Sequence, residues 1–358
     1  MNDLANPVSP DRIWRAVALT LVVGVVGSLA AQLAGLPLPW LTGAMGACAL
    51  AAICGAPMKI PFSWRPIVFV VLGISMGSGV TPESLELART WPLSLLALAL
   101  AVPMMVIVSV AAISRLPGWD RQTAMLAAMP GALSYVLAVA EQTGVDERRV
   151  AVVQSMRLVV LVLILPSLIV TAGGQQGVVI PPVPDAEWVD LGILAVACLA
   201  VGFACQRLRV PAGMLFGPML VSAVAHGTGW TDARVPVYVL NAAMLVLGAN
   251  IGARFTGLGW PFIRSAMWAG FLNLILATLV AAGFSAAVAW YLAIPFGQCM
   301  LAFAPGGAEA MAVLAFALHL DPAYVAIHHV ARFLGLGICL PIVLRMGPNK
   351  PATQSRKA

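Results

Sequence analysis

Apolar residues along this chain come in long runs broken by short polar or Pro/Gly-rich joints, and no strand-like alternation is sustained. About a dozen runs are long enough, or nearly so, to cross a bilayer: roughly 14–35, 37–55, 63–80, 91–113, 121–142, 147–171, 187–204, 210–226, 235–253, 264–290, 296–318 and 323–346. The longest joint, "AGGQQGVVIPPVPDA" at about 172–186, reads as a linker, and the other joints leave no room for an extramembrane domain. The pattern predicts an all-α polytopic membrane protein.

The pattern also repeats. "LPLPWLTGAM" (36–45) matches "VPAGMLFGPM" (210–219), and "LGISMG" (72–77) matches "LGANIG" (247–252). In the fifth and sixth runs the offset is a constant 175, pairing Pro130-Gly131 with Pro305-Gly306, Asp146 with Asp321, Val150 with Val325, Arg157 with Arg332 and Pro166 with Pro341. Several matches in one register indicate a duplication, with repeats at 1–175 and 176–350 and a tail at 351–358.

Charge sets the orientation of the repeats. If all twelve runs cross, the halves are parallel and basic residues fall on both sides. If the fifth and eleventh runs, each broken at Pro-Gly, dip in and return, each half has five spans and one re-entrant or discontinuous segment, and the halves are inverted. Of the 20 Lys and Arg, sixteen then lie on the side of the N-terminus, only Arg89 and Arg234 lie opposite, and Arg157 and Arg332 sit within helices. The all-crossing arrangement gives eleven against seven, so the positive-inside rule favours inversion with both termini cytoplasmic.

Composition adds constraints rather than a new direction. The 358 residues are 61% hydrophobic and 9% charged, against about 25% charged in soluble domains. The net charge of +6 is spread along the loops without a nucleic-acid-binding motif. The N-terminus (Arg12, Arg15, then an apolar run) reads as an uncleaved first helix. The six cysteines lie in apolar runs without CxxC spacing and read as small buried hydrophobes. His328 and His329 are adjacent and no HExxH spacing occurs, so neither a metal nor another cofactor is expected.

The candidate site residues follow from the breaks. Pro130, Gly131, Pro305, Gly306 and Gly307 free backbone groups at membrane depth, which is tolerated where backbone is buried in protein or lines a cavity. Inverted repeats that each carry one interrupted segment are the pattern of secondary transporters. Glu309 lies four residues after Pro305, and intramembrane acids bind cations, carry protons or pair with arginine. Its counterpart is Ser134, so the halves differ at this point. Asp146 and Asp321 read as helix N-caps. Arg157 and Arg332 stand eleven residues further on, about 16 Å into the span, where each needs an acid, carbonyls or a ligand anion. His328, one turn before Arg332, and Asn250 complete the set.

"LPLPWLTGAM", "LGISMG", "MPGALSYV…GVDERRVAVVQSMR" and "APGGAEAM…DPAYVAIHHVAR" resemble the AbrB family of duplicated bacterial membrane proteins, over about 12–346. Its members are labelled regulators of gene expression or ammonia monooxygenases. The family is similar to the cation/proton antiporter and anion transporter superfamily, and the resemblance implies transport through inverted repeats with crossing discontinuous helices. The combined expectation is a non-enzymatic secondary transporter of a small anionic solute, coupled to a proton or Na⁺ at Glu309. The alternative is a membrane regulator that moves nothing. The expected partners are the lipid bilayer and the solute, with a homo-oligomer left open and no nucleic acid.

Overall fold

The structure, a computed structural model, describes residues 10–78, 91–131, 136, 139–140, 143, 145–171, 188–210 and 212–346. The candidate Ser134, the linker with its repeat boundary, and the C-terminal tail lie outside the described residues.

All regular secondary structure among the described residues is helical. The principal helices are α1 (Pro10–Leu33), α2 (Pro39–Ile53), α3 (Arg65–Gly77), α4 (Trp91–Ile113), α5 (Arg121–Ala128), α6 (Glu147–Thr171), α7 (Trp188–Arg207), α8 (Gly213–Gly227), α9 (Val237–Gly252), α10 (Trp260–Leu292), α11 (Phe296–Phe303), α12 (Ala308–Ala317) and α13 (Pro322–Met346). Proline sits in the first turn of α2, α3, α10 and α13, where its missing amide hydrogen has no intrahelical use.

Six of these helices, or their extensions, are long and apolar enough to cross a membrane. Their outward faces agree: α4 exposes Leu93, Leu96, Leu100 and Ile107, and α1 exposes Val22, Val25, Val26 and Leu29. Such stripes are costly in water and expected against lipid tails. Trp14, Trp188, Trp260 and Trp290 are exposed near helix ends, where aromatic belts meet the headgroups. The chain is a helical membrane protein.

The helices sort into two bundles. The first contains α1, α2, α3, α7, α8 and α9; the second contains α4, α5, α6 and α10 to α13. The bundles touch mainly where α6 meets α2 and α9 and where α12 meets α3. In the first bundle, α3 packs on α8 while α9 packs on α2. These contacts are backbone against backbone: a Cβ on Gly73, Gly77, Gly248 or Gly252 would lie under 3.0 Å from the carbonyl oxygen of Leu215, Met219, Leu41 or Met45 respectively. Gly73 and Gly248, like Gly77 and Gly252, stand 175 residues apart. Leu38 and Ala212, at the entries to α2 and α8, share a left-handed conformation (φ 55° and 51°).

In the second bundle the fifth and eleventh apolar runs are interrupted as their Pro-Gly pairs predict. Helices α5 and α11 are eight residues each and stop just before Pro130 and Pro305. Asp146 and Asp321 accept hydrogen bonds from the amides of Arg149 and Tyr324, both at 3.2 Å, in agreement with their reading as caps.

Candidate functional site

Each interrupted segment ends in carbonyls that lack a helical partner, and each half meets that need from the long helix that follows. In the first half, Arg157 on α6 donates from Nη2 to Met129 O at 3.0 Å and from Nη1 to Ala128 O at 3.5 Å. In the second, Arg332 on α13 donates from Nη1 to Ala304 O at 2.6 Å and from Nη2 to Gly306 O at 3.0 Å. One turn earlier on the same helices, Gln154 donates from Nε2 to Leu126 O at 2.9 Å, and His329 Nε2 lies 3.0 Å from Leu301 O. Positions 154 and 329, 157 and 332, 126 and 301, and 129 and 304 all differ by 175. The halves therefore hold their breaks alike, by an arginine fork that shares the 129/304 carbonyl and a second bond one turn away.

Among the described residues, neither arginine meets a carboxylate. Among the described residues, the Arg/Lys–carboxylate ion pair is Asp146–Arg149, at 3.1 Å near the surface. Arg157 and Arg332 are 3% and 5% exposed, so two guanidinium charges are buried against neutral partners. Arg157 Nε has no partner. Such a site has unspent capacity for an anion.

The two breaks also approach each other. Gly131 has φ +97°, a region glycine tolerates without strain, and a Cβ there would lie 3.7 Å from Nε and Nη2 of Arg332 in the other half. A Cβ on Gly307 would lie 3.3 Å from Leu158 of the first half. Both breaks line one cavity of about 780 Å³ between the bundles.

Nine of the eleven sequence-predicted site residues line that cavity: Pro130, Gly131, Arg157, Asn250, Pro305, Gly306, Gly307, Glu309 and Arg332. Ser134 is not described. His328 points elsewhere, with Nδ1 2.7 Å from Tyr324 O and Nε2 2.8 Å from Ser94 Oγ, its ring against Tyr324. Glu309 is half-buried in the first turn of α12, where the helix N-terminus favours a negative charge.

Sequence reasoning missed Arg65, Arg254, Gln154, Ser155 and His329, which also line the cavity. In the sequence, Arg65 and Arg254 count only among the sixteen basic residues on the side of the N-terminus that set topology. The cavity thus carries four arginines and one carboxylate. Gln154 and His329 could have been found from the duplication, since both are polar at one register position of an apolar helix.

A second cavity of about 640 Å³ lies at the opposite end of the same inter-bundle seam. It is lined by the α1–α2 connection, by Ser167 and Thr171 at the end of α6, and by Val237, Asn241 and Met244 at the start of α9. On α9 the two cavities come within one turn, between Met244 and Leu247.

Taken together, these features define a polytopic helical membrane protein with a basic cavity between two bundles. The chain belongs to the AbrB family: the family model described as "Transition state regulatory protein AbrB" matches residues 40–347. It is similar to "Uncharacterized protein YhjN" of Bacillus subtilis strain 168, 26% identical over 353 residues and covering 91% of each chain. It is also similar to "Putative regulator AbrB" of Escherichia coli K12, 25% identical over 344 residues, covering 93% of this chain and 95% of the relative.

Proposed function

We propose that the protein is a secondary transporter of a small anionic solute, working by alternating access between two inverted repeats. The observation that carries this reading is the cavity itself, where both broken segments, four arginines and one carboxylate converge between two separately packed bundles. A net cationic, partly desolvated cavity concentrates anions and binds them by charge-assisted bonds. The second cavity, across one turn of α9, supports alternating access, with the solute site facing each mouth in turn. Inversion draws further support from the reciprocal packing of α3 on α8 and α9 on α2. Glu309 is the group that binds the coupling cation, a proton or Na⁺.

Purified protein in liposomes, assayed for uptake of acetate, succinate and phosphate under imposed proton and Na⁺ gradients, tests the proposal. Gradient-driven accumulation of at least one anion is expected, and Glu309→Gln should abolish its dependence on one of the two gradients. Accumulation that stays driven by both gradients in Glu309→Gln would remove that residue from the coupling step. Reporter fusions after residues 145 and 320 test the orientation: the first should lie in the cytoplasm and the second outside.

The printed names of the family and of the Escherichia coli relative favour a second reading, a membrane regulator of gene expression. A transcriptional effect that survives in a transport-dead Pro305→Ala/Glu309→Ala variant would support it over transport.

A further inference from the structure

The two clasps share a geometry but not a chemistry. Gln154 and His329 occupy the same register position and hold the same carbonyl, one with an amide that cannot titrate and the other with an imidazole that can. Since glutamine meets the structural need in the first half, holding the break does not require a histidine in the second. His329 makes a further contact that Gln154 lacks: its Nδ1 lies 2.5 Å from Arg332 Nη2. A guanidinium only donates, so Nδ1 must accept, and Nε2 must then carry the hydrogen that faces Leu301 O. The ring is held neutral, with its one free lone pair occupied by the cation that also binds Ala304 O and Gly306 O.

We infer that His329 takes up a proton when an anion binds Arg332, so that anion and proton load into the cavity together. The inference rests on the anion-transport reading and deepens its coupling step: the proton loads at His329, which leaves Na⁺ as the cation for Glu309. An anion that draws Arg332 Nη2 toward itself breaks the Nη2–H···Nδ1 bond and leaves Nδ1 with a free lone pair. It also offsets the guanidinium charge that opposes a second cation nearby. A proton from water in the cavity then adds to Nδ1, giving an imidazolium that still donates from Nε2 to Leu301 O. Loss of the anion restores the Arg332 bond and expels the proton.

The other charged groups lining the cavity are Arg65 on α3, Arg157 on α6, Arg254 after α9 and Glu309 on α12. The arginines all oppose protonation in the empty state, and Glu309 alone favours it. His328, the neighbour on α13, is turned to Ser94 and Tyr324.

His329→Gln copies the residue that already serves at position 154, so it keeps the fold while removing the proton site. Wild type, His329→Gln and Glu309→Gln, purified in weakly buffered detergent, are mixed with succinate, phosphate or acetate while a pH indicator reports proton uptake. Binding is followed in parallel by tryptophan fluorescence. Wild type should take up about one proton per anion bound, as a single imidazole allows. His329→Gln should bind the anion and take up none, and Glu309→Gln should keep the uptake. In liposomes with the membrane potential clamped, wild type should accumulate anion up to about tenfold per unit of imposed pH gradient, the equivalent of one coupled proton. His329→Gln should only equilibrate it. Proton uptake that persists in His329→Gln, or that vanishes in Glu309→Gln alone, overturns the inference and leaves the transport reading standing. Wild type that neither binds nor moves any of the three anions refutes the transport reading itself.

Discussion

Replacing Arg332 with lysine isolates the work of the guanidinium fork. Arg332→Met would remove two charge-assisted bonds, but it would also relieve the cost of burying a charge, several kcal/mol by itself, so even its sign is undetermined. Lysine keeps the buried charge and most of the stem, and ends one bond short of the two Nη atoms. It can serve Ala304 O or Gly306 O well but not both together with His329 Nδ1. At least one bond to a charged donor is lost, worth about 1.5–3 kcal/mol. Because that bond closes the α11–α12 junction, the loss falls on local opening of residues 304–311. At about 1.4 kcal/mol per tenfold, opening should become about ten- to a hundredfold more frequent. Hydrogen exchange of peptides covering 301–311 reads this directly, since the amides of Gly306 and Met311 bond to Ala304 O and Gly307 O across the break. Arg157→Lys should act in the same way on 126–131 and spare 301–311. Unchanged exchange at 301–311 in Arg332→Lys, with the protein otherwise intact, would refute the clasp as the element that holds this break.

Three further outcomes are expected. Gly77→Ala and Gly252→Ala drive a methyl into the Met219 and Met45 carbonyls and should cost about 1–3 kcal/mol each, seen as a lower melting point in detergent; Gly283→Ala, with nothing nearby, should leave it unchanged. Arg254→Gln removes one cavity cation and should weaken anion binding by about tenfold, as loss of one charge-assisted bond predicts, while Arg207→Gln, outside the cavity, should not. Burial pushes the Asp120 carboxyl up, but bonds from the Thr123 hydroxyl and the amides of Thr123 and Gln122 outweigh it and hold the group below the ordinary 3.8; its stabilisation is therefore present at neutral pH and lost as pH falls through the folded value. Asp120→Ala should cost about 1 kcal/mol at neutral pH, and its deficit in thermal unfolding should close as the pH falls below 3.8.

The parts of the site that were legible in the sequence are those whose residue type is abnormal for its surroundings. A Pro-Gly pair inside an apolar run, an arginine eleven residues into a span and an acid beside a break each violate a local rule. Arg65 and Arg254 violate none, because basic residues at the ends of apolar runs are what membrane topology requires. Only the three-dimensional approach of α3 and α9 to the breaks turns them inward. His328 and His329 show the limit of helical periodicity: spacings of four and three before Arg332 both lie on its side of the helix. The choice between them was made by Ser94 on α4, far away in sequence, and by the Leu301 carbonyl. The two-bundle division was likewise hidden, since it depends on which helices of one half seek partners in the other.

The glycine contacts of the first bundle have a mechanical consequence. Where α3 lies on α8 and α9 on α2 at glycines, sliding by one residue would drive a Cβ into a carbonyl oxygen. Such helices can turn together but cannot shear, so the first bundle is a stiff frame whose internal register is fixed by four hydrogen atoms. Among the described residues of its breaks, the second bundle has instead carbonyls gripped by side chains that a ligand can loosen. Displacement on solute binding should therefore concentrate at the seam and the breaks, leaving the frame as a stationary reference against which inhibitors or antibodies could wedge the protein in one state.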